Sequence, residues 1–113
     1  MAEQYQHTIT FRRMPLAELA SADRDLVDRA IKASQRAYAP YSRFLVGAAL
    51  RLSDGAVTEG NNQENASFPA GICAERTALH HALAMNPAAV VVAIAVAVPQ
   101  VAGDAPVSPC GIC

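Results

Sequence analysis

Phe44-Leu45-Val46-Gly47-Ala48-Ala49-Leu50-Arg51-Leu52-Ser53-Asp54-Gly55-Ala56-Val57-Thr58-Glu59 reads as two strands around a turn. Phe44 to Leu52 is apolar and β-rich, Ser53-Asp54-Gly55 is a turn signal, and Ala56 to Glu59 is the returning strand of a hairpin. Upstream, Leu26, Val27, Ala30, Ile31, Ala37 and Tyr38 recur at helical spacing. Ser21 is the expected N-cap of that helix, with Asp23 and Asp25 in the first turn, and Pro40 is the expected stop. Downstream, Gly60 to Gly71 is polar and turn-rich. A second helix is expected from near Ile72 to Asn86, with Ala78, Leu79, Ala82 and Leu83 as its apolar stripe. Val90 to Val98 is continuous and β-branched, which suits a strand covered on both faces. Pro99 to Ser108 reads as a loop, and Met1 to Ala20 as a lead-in strand or extended arm anchored by Tyr5, Ile9 and Phe11. The order α-β-β-α-β predicts an α/β fold, with helices packed on a mixed sheet.

The chain has 113 residues, enough for one domain, and 52% of them are hydrophobic, so one buried core is within reach. Domains of this size often gain stability from a metal or from oligomers. The formal net charge is −1 and there is no run of Lys or Arg. That argues against a nucleic-acid or anionic-membrane footprint and fits a small neutral substrate. The longest apolar run, Ala88 to Val98, is too short to span a bilayer. Met1 to Thr10 lacks the apolar stretch of a signal peptide. A cytoplasmic location is therefore expected. Three cysteines in a reducing compartment point to metal binding or catalysis rather than to disulfides.

The residues that carry chemistry are Cys73-Ala74-Glu75 and Pro109-Cys110-Gly111-Ile112-Cys113. A catalytic zinc commonly has three protein ligands and one position open to water. Three cysteines, with no fourth nearby, fit that arithmetic. Cys110 and Cys113 are three apart, so one turn brings both sulfurs to one side. Cys73 lies at the expected start of the second helix, where partial positive charge and free N–H groups favour thiolate. Read alone, the cysteines also fit small buried apolar residues, and Cys110 and Cys113 a redox pair. Glu75 is suited to moving protons, but residues two apart on a helix point to different sides. Spacing alone does not set it over a metal held by Cys73. His80 and His81 follow the helix period and read as exposed or half-buried helix residues, not ligands.

Four segments in this order, Ala39 to Leu50, Gly60 to Ala66, Gly71 to Ala78, and the Pro-Cys-Gly-Ile-Cys end, resemble cytidine deaminases of the free-nucleoside type. The resemblance runs from about Asp23 to Cys113. The Cys-Ala-Glu plus Pro-Cys-x-x-Cys pair carries the zinc pattern of the wider deaminase group. The Asn-x-Glu-Asn-Ala segment, Asn62 to Ala66, carries the nucleoside specificity. The implied fold is a three-layer α/β/α deaminase-like domain over residues 21–113, preceded by an arm over 1–20. The family usually continues past the position of Cys113 with a helix and one or two strands, so the C-terminal part of the fold is expected to be missing.

The resemblance implies one zinc per subunit, held by Cys73, Cys110 and Cys113. It implies that Glu75 carries protons between water, N3 of the pyrimidine and the departing amine. Asn62 and Glu64 would hydrogen-bond the ribose 3′-hydroxyl, Phe44 would pack against the base, and the backbone around Ala74 would read the pyrimidine edge. Arg76 would hydrogen-bond the thiolates and offset their charge. The implied reaction converts cytidine and 2′-deoxycytidine to uridine and 2′-deoxyuridine plus ammonia, in pyrimidine salvage, within a homotetramer whose sites are completed by neighbouring subunits. Phe68 stands where many relatives carry Tyr. Two alternatives accompany this reading: a truncated, non-catalytic, zinc-stabilised deaminase homologue, and a deaminase of a modified nucleoside such as blasticidin S.

Overall fold

In the computed structural model, which describes residues 1–101 and Val107, the hairpin turns at Gly55. Its φ of +89° lies in the left-handed region that glycine enters at no steric cost. Asp54 shapes the same turn, its Oδ1 accepting the N–H of Ala56 at 2.9 Å. The elements are α1 (Ser21–Ser34), β1 (Gly47–Leu52), β2 (Val57–Asn61), α2 (Ala74–Met85) and β3 (Val91–Ala97), in the order the sequence predicts. Single 3₁₀ turns precede α1 at Leu16–Glu18 and α2 at Phe68–Ala70.

The sheet order is β2-β1-β3. β1 pairs antiparallel with both neighbours, Gly47 facing Asn61 on one side and Ala97 on the other. β2 and β3 therefore run in the same direction, and α2 is the crossover between them. Among the described residues the parallel element of the expected mixed sheet is confined to an isolated bridge, Tyr38 with Gln63.

Alternation along β1 divides the core in two. Ala48, Leu50 and Leu52 pack with Ala74, Ala78 and Ala82 of α2. Ala49 packs with Leu26 and Ala30 of α1 and with Ala95. The helices thus lie on opposite faces, and the described chain is a three-layer α/β/α unit. Leu50 is only 1% exposed, and burying such a side chain stabilises by about 1.5–3 kcal/mol. The inner stripe of α2 is Ala74, Ala78 and Ala82, not the expected stripe that included Leu83, which is 37% exposed. An all-alanine stripe lets the helix backbone settle against the sheet. Gly60 completes that contact: a Cβ there would lie 2.5 Å from Ala78 N and 2.6 Å from Ala74 O.

Several boundaries differ from the sequence reading. Ala20, not Ser21, is the N-cap of α1, and it makes no side-chain cap bond. Asp23 in the first turn instead accepts a hydrogen bond from Arg51 Nη2 at 2.9 Å, which holds the helix to the sheet. α1 ends at Ser34 rather than near Pro40. Tyr38 has left the helix because its N–H donates to Asn62 O at 3.0 Å and its carbonyl accepts from Glu64 N at 2.7 Å. Ser34, buried, turns its hydroxyl onto Ile31 O at 2.6 Å. β1 begins at Gly47, three residues after Phe44, and α2 at Ala74 with Cys73 as its cap.

The described residues do not cover β3 on both faces. α1 covers Ala93, Ala95 and Ala97, but α2 crosses over β1 and β2, and Val92 and Ile94 remain 55% and 50% exposed. The expected anchors of the arm also fail to anchor it. Tyr5, Ile9 and Phe11 are 85%, 72% and 82% exposed, and no strand forms before Ser21.

Candidate active site

Where β2 ends, the chain is captured on both sides. Tyr38 pairs with the 62–64 backbone on one side, and Gln63 exchanges both backbone bonds with Ile72 on the other, at 2.9 and 3.0 Å. This strip draws Ile72, and with it Cys73, beside Asn62 and Glu64. The intervening residues close on themselves, with Asn65 Oδ1 accepting from Ser67 N at 2.8 Å.

A cleft of about 700 Å³ opens at this end of the sheet, a volume suited to a small molecule. Asn62, Glu64, Cys73 and Arg76 stand on its wall together with Tyr41, Ser42 and Phe68. Four of the residues singled out from the sequence are therefore brought to one cavity from two separate segments. Ala74, the first residue of α2, is fully buried and does not line the cleft. Glu75 is half-buried in the first turn of α2, and Phe44 is 42% exposed; neither lines the cleft. Cys110 and Cys113 lie outside the described residues.

Cys73 caps α2 in an extended conformation, φ −78° and ψ 162°. Its carbonyl accepts both the N–H and the hydroxyl of Thr77, at 3.0 and 2.9 Å, so the first turn is tied to it twice. Among the described residues no three His, Cys, Asp or Glu side chains converge as a metal cluster. Cys73 is the described member of the expected ligand set. A half-buried thiol on a cleft wall, at a helix start and with a guanidinium on the same wall, fits a thiophilic dication.

Glu64 is held by the turn that follows Pro40. Its Oε1 accepts the backbone N–H groups of Tyr41 at 3.0 Å and Ser42 at 3.1 Å. The Ser42 side chain does most to hold its carboxyl below the usual carboxylate range; desolvation opposes it, and the Ser42 and Tyr41 N–H groups add smaller lowering effects. Asn62 spends its amide on the backbone as well, Oδ1 accepting from Val46 N at 2.9 Å and Nδ2 donating to Phe44 O at 2.7 Å. Between these two tethers Arg43 sits at φ +56°, a left-handed conformation uncommon for a residue with a Cβ.

Sequence reasoning assigned no role to Tyr41, Ser42 or Gln100. The first two carried a signal, since a turn after Pro40 leaves N–H groups for a carboxylate to cap. Gln100 carried none, because its partners are 55 and 57 residues away.

The family model described as "Cytidine and deoxycytidylate deaminase zinc-binding region" matches residues 20–113. A cytidine deaminase of Halalkalibacterium halodurans is 51% identical over 88 residues, which are 78% of this chain and 64% of that protein. One of Sporosarcina psychrophila is 42% identical over 88 residues, 78% of this chain and 62% of that protein. The chain thus spans a little under two thirds of the length of these relatives. Among solved structures, cytidine deaminase from Burkholderia pseudomallei superposes with a TM-score of 0.68 at 46% identity, covering 77% of this chain and 67% of that one. Cytidine deaminase from Mycobacterium tuberculosis superposes with a TM-score of 0.64 at 36% identity, covering 77% and 68%. By the matched motif region and by its fold, the chain belongs to the cytidine and deoxycytidylate deaminase zinc-binding family.

Proposed function

We propose that this chain carries the greater part of a zinc-dependent hydrolase that converts cytidine and 2′-deoxycytidine to uridine and 2′-deoxyuridine with release of ammonia. The observation behind this reading is the single cleft wall shared by Asn62, Glu64, Cys73 and Arg76. In this reading Asn62 and Glu64 would bind the sugar and Cys73 the metal from one cavity of a size suited to a small molecule.

Cys73, Cys110 and Cys113 would hold the metal. Zinc bound there supplies water activated near neutral pH. Glu64, ionised, accepts a ribose hydroxyl; a carboxylate has acceptor capacity beyond the two N–H bonds it already takes. Asn62 keeps one N–H beyond its bond to Phe44 for the same sugar. Glu75 carries one proton of water to N3 of the pyrimidine as the oxygen adds to C4, then carries the second, from the resulting C4 hydroxyl, to the leaving amine. The Ala74 backbone reads the pyrimidine edge and Phe44 packs on the base. Arg76 offsets the charge of three thiolates.

The catalytic domain in this reading is 21–113, with 1–20 as an arm. Its support is that α1 begins at Ser21. The active form is a homotetramer with sites completed by neighbouring subunits, acting on free nucleosides in cytoplasmic pyrimidine salvage and not on nucleic acid. Among the described residues no helix is long and apolar enough to cross a membrane.

The test is cytidine turnover, followed as loss of cytidine absorbance and release of ammonia. It is made on these 113 residues loaded with zinc, and on a chain extended past Cys113. Turnover by either supports the proposal. Absence of turnover from both, with one zinc bound per chain, overturns it.

A further inference from the structure

At Gly47 the sheet loses both of its outer strands. On one side the chain leaves after Asn61 to pair with Tyr38 and Ile72. On the other, Pro99, which has no N–H to donate, follows shortly after Ala97. Residues 44–46, past the left-handed Arg43, nevertheless run on into β1: Asn62 N still donates to Val46 O at 3.2 Å, and two side-chain amides take the places of the other strand partners. Gln100 Nε2 donates to Arg43 O at 2.8 Å and its Oε1 accepts from Leu45 N at 2.7 Å. Asn62 does the same one residue out of phase, with Phe44 O and Val46 N. In a strand the backbone groups of residues i and i+2 point to one side and those of i+1 and i+3 to the other. Each amide therefore imitates one neighbouring strand, Gln100 on the β3 side and Asn62 on the β2 side.

We propose that Gln100 is a positioning residue of the nucleoside site. Its amide fixes Arg43–Leu45, and through that segment the Tyr41–Ser42 turn whose N–H groups hold the Glu64 carboxylate. Asn62 stands on the cleft wall, while Gln100 reaches the site only through the backbone it holds. Arg43, with its left-handed φ, joins the clamped segment to the turn, so release on the Gln100 side lets that residue relax and the turn drift. The inference rests on the nucleoside reading of the cleft. It adds a residue outside the cleft that governs how tightly the sugar is held.

The experiment compares the zinc-loaded chain with its Gln100→Ala and Gln100→Glu forms. KM and kcat for cytidine are measured, together with amide hydrogen exchange at Tyr41, Ser42 and Leu45. Loss of two neutral hydrogen bonds that act on binding alone should raise KM by about tenfold and leave kcat within about twofold. Exchange should quicken at Leu45, Tyr41 and Ser42. Gln100→Glu keeps the acceptor for Leu45 and loses the donor to Arg43, so its KM should fall between the other two. An unchanged KM in Gln100→Ala, with the parent chain active, overturns the inference and leaves the functional reading intact. If neither the parent chain nor its form extended past Cys113 turns over cytidine while holding zinc, the functional reading is overturned. The exchange data then decide the clamp alone, and unchanged rates at Tyr41 and Ser42 overturn it.

Discussion

The backbone nitrogen of Ser42 lies 3.1 Å from Glu64 Oε1, and this bond ties the turn after Pro40 to the loop after β2 across 22 residues of sequence. Tyr41 adds a second N–H to the same oxygen. A carboxylate held by several donors stays ionised to lower pH than a free one. The site therefore keeps an acceptor in place before substrate arrives.

Titration of Glu64 should show the hold of the Ser42 side chain first, with these N–H groups behind it. Its carboxyl carbon, followed by NMR, should titrate below the usual carboxylate range, and Ser42→Ala should move the midpoint up. The folded pKa is the depressed one. The contribution to stability is therefore present above the unfolded pKa and is lost as pH falls through the folded value. KM for cytidine should rise over that same acidic window. A midpoint in Ser42→Ala equal to that of the parent would count against the Ser42 hydroxyl as the main cause.

Gly60→Ala should act at a distance from any ligand. Its Cβ would meet the backbone of α2 at Ala78 N and Ala74 O, and neither helix nor strand has a flexible side chain to move aside. Overpacking of this kind costs about 1–3 kcal/mol. Displacing the start of α2 also displaces Cys73. Calorimetry should show a lower Tm, and zinc titration a weaker affinity. A change in Tm with unaltered zinc affinity would mean that the helix start does not follow the strand.

Cys73→Ala tests the metal. Structural and catalytic zinc affinity is partly folding energy, so loss of a thiolate should remove bound zinc and lower Tm together. Zinc content by atomic absorption and Tm by circular dichroism measure the two. Retention of one zinc per chain with Tm unmoved would remove Cys73 from the ligand set.

Glu75→Gln should leave zinc content and fold as they are and lower kcat by about 10²–10⁴-fold, the usual worth of a positioned proton carrier. The half-buried place of Glu75 in the first turn of α2 makes a structural effect small. Turnover within twofold of the parent would assign the proton transfer elsewhere.

Much of this was legible in the residues themselves. The hairpin around Gly55, the α-β-β-α-β order and the start of a helix at Cys73 follow from turn chemistry, periodicity and capping, which act over a few neighbouring residues. Cys73, Asn62, Glu64 and Arg76 were marked as site residues by short motifs, and the fold brings all four to one cleft. Tertiary structure alone decided the rest. α1 stops at Ser34 because the 62–64 backbone claims Tyr38. Ser21 is not the cap, and the Asp23 carboxylate is turned toward Arg51 of β1. Phe44 to Val46 lies outside β1, held by the amides of Asn62 and Gln100 instead of by strands. Local sequence sets which conformations a segment prefers. It does not say which distant donor or acceptor will take a given N–H or C=O, and at each of these places such a partner decided the outcome.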